Sequence, residues 1–289
     1  VSRVLVASDL DRTLIYSEAA LALATGERPR LICVEHYLGR EASFMTERAG
    51  ELARHLSGVA TVMPTTTRTP EQLHRVTLPG GPQRFAVAAN GGILLVDGQV
   101  DAAWSTQVRR RLAEAAPLDE VWAYLGRVCD QAWTTKLRNA EDLFCYAVID
   151  RIRMPTEFLT QTTEWAVRRG WGTSLQGRKL YWVPKTLTKA AAVREVARRI
   201  DAAIVLAAGD SLLDIDLLES ADLGVHPRHG ELFDTDWSAP HVTRTSETGV
   251  LAGEAILEWF AATAQKYDPT APADSTSTIS HDPERRLPC

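Results

Sequence analysis

Two aspartates two residues apart, Asp9 and Asp11, stand directly behind a short apolar run from Arg3 to Ser8. If the loop turns sharply, both carboxylates reach one cleft, where one can attack an electrophile while the other exchanges protons. A second acidic pair, Asp210 and Asp214, follows Gly209 at a four-residue spacing that puts both on one face of a helix start. Hard carboxylate oxygens suit Mg²⁺, and four of them without a metal would repel strongly. Between the pairs lie Thr66 and Lys189, a hydroxyl donor and a cation. Groups of these two kinds hold phosphoryl oxygens, whose negative charge persists through the transition state. The pattern points to phosphoryl transfer.

These side chains need a scaffold that brings distant stretches of chain together. Arg3 to Ser8 is apolar on both parities, as expected of a strand buried on both faces in a parallel sheet. Ala49, Leu52, Ala53 and Leu56 recur at helical spacing, Ser57-Gly58 is a stop, and Val59 to Met63 reads as a second strand ending at Thr65-Thr66-Thr67-Arg68. Thr69-Pro70-Glu71-Gln72 carries a helix-start signature, with a capping hydroxyl, a first-turn proline and Gln three residues later. Phe85 to Ala89 and Ile93 to Val96 flank Asn90-Gly91-Gly92 as a hairpin, and Asp97-Gly98 offers a tight turn. Val193, Val196, Ala197 and Ile200 form a helical stripe, and the apolar strand Ala203 to Ala208 delivers Gly209-Asp210. Strands of this kind, each ending in polar residues, predict an α/β fold with a Rossmann-like parallel sheet and a ligand at the carboxyl ends of its strands.

From about Trp104 to Tyr181 the texture changes to helices alternating with isolated strands such as Phe144 to Ile149, which predicts an inserted α+β domain. The expected division is a core from residues 1–104 and 184–264, an inserted cap from 105–183, and a Pro-, Ser- and Thr-rich tail over 265–289 that cannot offset the entropy of ordering.

The order Asp9-x-Asp11-x-Thr13, then Thr66, then Lys189, then Gly209-Asp210-x-x-x-Asp214 resembles the haloacid dehalogenase superfamily of phosphatases over roughly residues 1–262. Thr66-x-Arg68, Asn90-Gly91, Pro184-x-x-x-Thr188-Lys189 and Gly209-Asp210-Ser211 resemble its subgroup with a large C2-type (type IIB) α+β cap, which includes Cof-type sugar phosphatases, sucrose-phosphate phosphatases and mannosylglycerate phosphatases. The resemblance implies Asp9 as nucleophile, Asp11 as general acid and then base, and Thr66 and Lys189 on the phosphoryl oxygens. It also implies Mg²⁺ held by Asp9, the Asp11 carbonyl and Asp210, with Asp214 ligating directly or through water. Arg12 stands where the family often has Gly and is a candidate for touching substrate, with Arg68, Asn90 and Arg178. Leu213 stands where Asn often supports the metal site.

Plainer readings exist for several of these residues. Asp214 suits a helix dipole, and Thr66 suits a strand-end hydroxyl bonded to backbone. Lys185 rivals Lys189, and Asn90-Gly91 needs no role beyond the turn. In the insert, Arg138, Gln176, Arg178 and Lys179 are placed to reach a substrate's distal part. His226, Arg228 and His229 stand near the acidic loop, and Trp104 reads as a packing anchor at the hinge.

Composition limits the function classes. With 45% hydrophobic and 24% charged residues the chain folds, and a net charge of -5 provides no field for nucleic acid or anionic lipid. A small phosphorylated metabolite fits better than a polymer. Four cysteines without CxxC or metal-type spacing argue against disulfides or a zinc site, and no apolar run of bilayer length or signal-peptide layout is present. The expectation is a cytoplasmic Mg²⁺-dependent phosphatase, with a phosphotransferase or mutase and a non-catalytic phospho-ligand sensor as alternatives. Oligomeric state has no signature in the sequence.

Overall fold

The structure is a computed structural model that describes residues 3–24 and 26–267. The chain opens with strand β1 (Val4–Ser8), all five residues buried, and then forms a hairpin of β2 (Leu31–Tyr37) and β3 (Arg40–Thr46). Helix α1 (Glu47–Val59) follows, capped by the Thr46 hydroxyl on the Ala49 N–H at 2.9 Å and burying Ala49, Leu52, Ala53 and Leu56. It runs through Ser57-Gly58 rather than stopping there. Next come β4 (Thr61–Pro64) and α2 (Pro70–His74), where Thr69 and Gln72 form the capping box their spacing predicts. Strands β5 (Phe85–Ala88), β6 (Ile93–Val96) and β7 (Gln99–Val100) make a small antiparallel sheet. The Asp97-Gly98 turn has positive φ at both residues.

The middle of the chain comprises α3 (Ala102–Leu112), α4 (Leu118–Val128), β8 (Thr134–Ala140), β9 (Phe144–Ile149), α5 (Phe158–Val167), β10 (Trp171–Gln176) and β11 (Lys179–Pro184). Its strands form a four-stranded antiparallel sheet in the order β10-β11-β9-β8. The last part holds α6 (Lys189–Arg199), β12 (Ile204–Ala208), α7 (Ile215–Ser220), β13 (Leu223–His226), α8 (Glu231–Asp234), β14 (Val242–Arg244) and α9 (Gly249–Lys266). The main sheet is parallel throughout, in the order β14-β13-β12-β1-β4.

Strand β1 lies between β12 and β4 and is parallel to both, so the residues after all three leave the sheet at the same end. Helix α9 packs on α1, and Phe260, Ile256 and Leu56 join the core on that face. On the other face, β1 residues Leu5 and Ala7 share a core with Val193 and Val196 of α6. Among the described residues no helix is long and apolar enough to cross a membrane. The tail from 268 onward lies outside the described residues.

Candidate active site

The loop after β1 turns within three residues. The Leu10 carbonyl accepts N–H bonds from Thr13, Leu14 and Ile15, and Arg12 takes a left-handed backbone at φ 62°. Glycine is the residue that reaches that conformation without strain, so Arg12 holds it at a steric cost. The turn aims Asp9 across the strand ends. One Asp9 oxygen, Oδ1, accepts from Lys189 Nζ at 2.6 Å, and Oδ2 accepts from the Thr13 hydroxyl at 3.3 Å.

Lys189 is 1% exposed and begins α6, whose cap is Thr188 as its position predicts. Its ammonium also donates to Asp214 Oδ1 at 2.5 Å. Burial opposes the charge on Lys189, but Asp214 and Asp9 raise its pKa well above the ordinary lysine value. Lys185, its rival on sequence grounds, is exposed to solvent. The other Asp214 oxygen accepts from the Asp210 N–H, the Ser211 N–H and the Ser211 hydroxyl, the last at 2.7 Å. Asp214 therefore shapes the loop and orients Lys189. Gly209 is required beside it, because a Cβ there would lie 2.3 Å from that of Asp214.

Asp11 stands apart from this cluster. Its carboxylate takes a bidentate grip from Arg68, with Nε to Oδ2 at 2.7 Å and Nη2 to Oδ1 at 2.8 Å. Burial pushes the Asp11 carboxyl up, yet Arg68 outweighs it and holds the group below the usual carboxylate range. Arg68 also meets Glu35 of the β2–β3 hairpin at 2.9 Å, and Glu35 accepts from Ser43 and Arg75. In contrast to the sequence expectation, Arg68 is buried and committed to two carboxylates rather than offered to a substrate. Glu35 gave no signal of its own, because its partner lies 33 positions away in the chain.

The remaining candidates divide. Arg12 reaches Asp210 Oδ2 at 3.2 Å and lines the cleft, while its carbonyl accepts from His229 Nε2 at 2.7 Å. The Gly249 N–H donates to His229 Nδ1, which fixes the proton on Nε2 and makes this histidine a tie between the Asp9 loop and α9. Thr66 is buried, and its Oγ1 accepts from the Arg68 N–H at 3.1 Å, leaving its own hydroxyl hydrogen to give. Asn90 is buried and bonded to backbone. Its Nδ2 donates to the Leu187 carbonyl at 2.9 Å, and a Cβ at Gly91 would stand 2.1 Å from the Thr188 carbonyl, so Asn90-Gly91 seats the start of α6 and with it Lys189. Trp104 packs as expected, donating from Nε1 to the Gly91 carbonyl.

Over these strand ends lies a cleft of about 340 Å³, a size suited to a small molecule. Its core side offers Asp11, Arg12 and Asp210, and its far side offers Gln176, Arg178, Lys179 and Tyr181 from the β10–β11 hairpin. Arg138 is not among its lining residues. Two contacts tie the hairpin to the core. Tyr181 is hydrogen-bonded to Thr67, and Glu231 of α8 accepts from Ser174 Oγ at 2.6 Å and Leu175 N at 2.8 Å while also accepting from Leu212 N.

Asp9, Asp210 and Asp214 each place a carboxylate oxygen within 4.8 Å of the others, all buried. Burial, with Asp214 and Asp11 alongside, pushes the Asp9 carboxyl up to about 7 against the pull of Lys189. Burial and the neighbouring Asp9 and Asp214 also push Asp210 well above the carboxylate range. Protons held this way are what a divalent cation displaces, and an all-oxygen donor set suits Mg²⁺. The residues fit such an ion.

Solved structures resemble this architecture across nearly the whole chain. A sucrose-phosphatase from Synechocystis, solved with sucrose and phosphate, matches 90% of this chain and 98% of its own at a TM-score of 0.63 and 16% identity. A haloacid dehalogenase-like hydrolase from B. subtilis matches 89% and 98% at 0.60 and 13% identity. The chain has the haloacid dehalogenase-like fold. A Thermoplasma acidophilum protein matches 89% of this chain and 97% of its own at 0.59 and 15% identity. No protein-family model and no curated protein matches the sequence. Asp9, Thr66 and Asp210 leave the parallel sheet at the same end.

Proposed function

We propose that this protein is a Mg²⁺-dependent phosphomonoester hydrolase acting on a small phosphorylated metabolite through a phosphorylated Asp9. The supporting observation is the buried bridge from Lys189 to both Asp9 and Asp214, which holds the Asp9 carboxylate against a cation two residues before Asp11 of the cleft lining. The Asp9 carboxylate attacks phosphorus and the bond to the leaving oxygen breaks. Asp11 gives that oxygen its proton, then removes one from the water that opens the acyl phosphate. Lys189 and the Thr66 hydroxyl hold the phosphoryl oxygens. Mg²⁺ held by Asp9, Asp210 and the Asp11 carbonyl would offset the charge of the transferring group.

The grip of Arg68 keeps Asp11 ionised before substrate arrives. A phosphate dianion entering the cleft repels that charge, and the same repulsion favours the protonated form that the first step uses. Arg68 thereby positions the acid without touching the reacting atoms.

The core role of residues 1–104 and 184–264 and the cap role of 105–183 belong to the same reading. The cleft between the two parts holds the leaving group away from bulk water. Incubating the protein with Mg²⁺ and a set of phosphate esters will release inorganic phosphate, and Asp9→Asn will lower turnover by about 10³-fold or more. Unchanged turnover in that variant contradicts the mechanism.

A further inference from the structure

The β10–β11 hairpin brings more positive charge to the cleft than a phosphate alone requires. Gln176 pairs with Lys179 across a two-residue turn, Gly177-Arg178. The Arg178 carbonyl accepts from the Ile149 N–H at 2.8 Å, so β9 fixes the turn in place. Along β11 the side chains alternate. Leu180 and Trp182 are fully buried, while Lys179 and Tyr181 share the opposite face and line the cleft.

The charges around that cleft do not balance. Of its lining carboxylates, Asp11 is engaged by Arg68 and Asp210 by Arg12. Among the described residues no carboxylate lies within ion-pair distance of Lys179 or Arg178. Lys179 is partly buried, and its pKa is raised by Tyr181 and, against the effect of burial, by Asp11. Its ammonium thus acts on the residue that meets the leaving oxygen, whereas the transferring phosphoryl group has Lys189. A cation taken from water without a partner costs free energy unless a ligand supplies the opposite charge.

We infer that Lys179 and Arg178 form an anion subsite for the leaving group, so that the substrate is a phosphate ester whose alcohol part carries a second negative group, a carboxylate or a further phosphate. This rests on the phosphomonoester reading above and narrows it. A neutral sugar alcohol would leave the partly buried Lys179 unmatched, with the exposed Arg178 matched only by water.

The test compares kcat/KM for matched esters, 3-phosphoglycerate against glycerol 3-phosphate and fructose 1,6-bisphosphate against fructose 6-phosphate, with p-nitrophenyl phosphate as a control. The doubly anionic member of each pair will be favoured by about tenfold or more, the scale of one charge-assisted contact. Lys179→Met and, at the exposed turn, Arg178→Ala will collapse that preference, whereas Lys179→Arg will retain most of it. Equal use of the matched esters, or an equal fall on both in Lys179→Met, overturns the subsite while p-nitrophenyl phosphate turnover leaves the phosphatase reading standing. No turnover of any ester, control included, overturns both.

Discussion

Asp9 and Asp11 sit two residues apart yet are held in opposite states by their surroundings. Burial and neighbouring carboxylates favour a proton on Asp9 up to about 7, whereas Arg68 favours the ionised form of Asp11. Mg²⁺ binding must displace the proton from Asp9, so apparent Mg²⁺ affinity will fall as pH drops through 7, by about tenfold per unit for each proton displaced. Titration of activity against Mg²⁺ at several pH values measures this, and a pH-independent affinity would count against the site. Replacing Arg68 removes the group that depresses Asp11, so in Arg68→Met the activity limb belonging to Asp11 moves to higher pH. The same change leaves Glu35 and Asp11 short of a partner, at a cost of about 3 kcal/mol in stability. Denaturant midpoints read that loss, and a wild-type midpoint with an unshifted profile would mean Arg68 does not act on Asp11. Asp9, Lys189 and Asp210 were legible in the sequence because each ends or begins an element with a strong local signal. Arg68 was noticed as a substrate candidate but its ion pairs were not legible, since its partners Asp11 and Glu35 are 57 and 33 positions distant and nothing local reveals them.

At the scale of elements, three parallel strands and one helix start do the positioning. Strands β1, β4 and β12 were readable as buried apolar runs, and α1, α2 and α6 from periodicity and caps. The β2–β3 hairpin was not. Its pairing carries register shifts between Cys33 and Glu35 and between Glu35 and His36, so the alternation that marks a strand is broken where Glu35 turns inward. The Asn90-Gly91 turn was legible, but its task of seating Thr188 and Lys189 depends on a close approach that no local pattern encodes. Glu231 is a further residue without a local signature. It joins Ser174 and Leu175 of β10 to Leu212 of the acidic loop, so Glu231→Ala releases the hairpin from the core. Losing a shared acceptor costs about 1–3 kcal/mol locally. Faster amide exchange in β10 and β11, with a higher KM and a smaller change in kcat, is the expected result. Unaltered exchange there would show that Tyr181 and Thr67 suffice to hold the hairpin.

For the molecule as a whole, residues that follow the parallel sheet and residues of the antiparallel sheet line one cleft, with Asp11, Arg12 and Asp210 on one side and Arg178 and Lys179 on the other. Under the proposed function, that division assigns the two halves distinct tasks, transfer of the phosphoryl group and recognition of what it leaves. The net charge of -5 is compatible with an anionic substrate because the cations that matter are concentrated at this cleft. The proposed mechanism depends on Asp9 becoming covalently phosphorylated. Acid quenching during turnover of a ³²P-labelled ester, followed by peptide mapping, tests this most directly. Label will appear on the peptide carrying Asp9 and be absent from Asp9→Asn. Turnover with label on another residue, or with none on the protein under conditions that trap acyl phosphates, would contradict it.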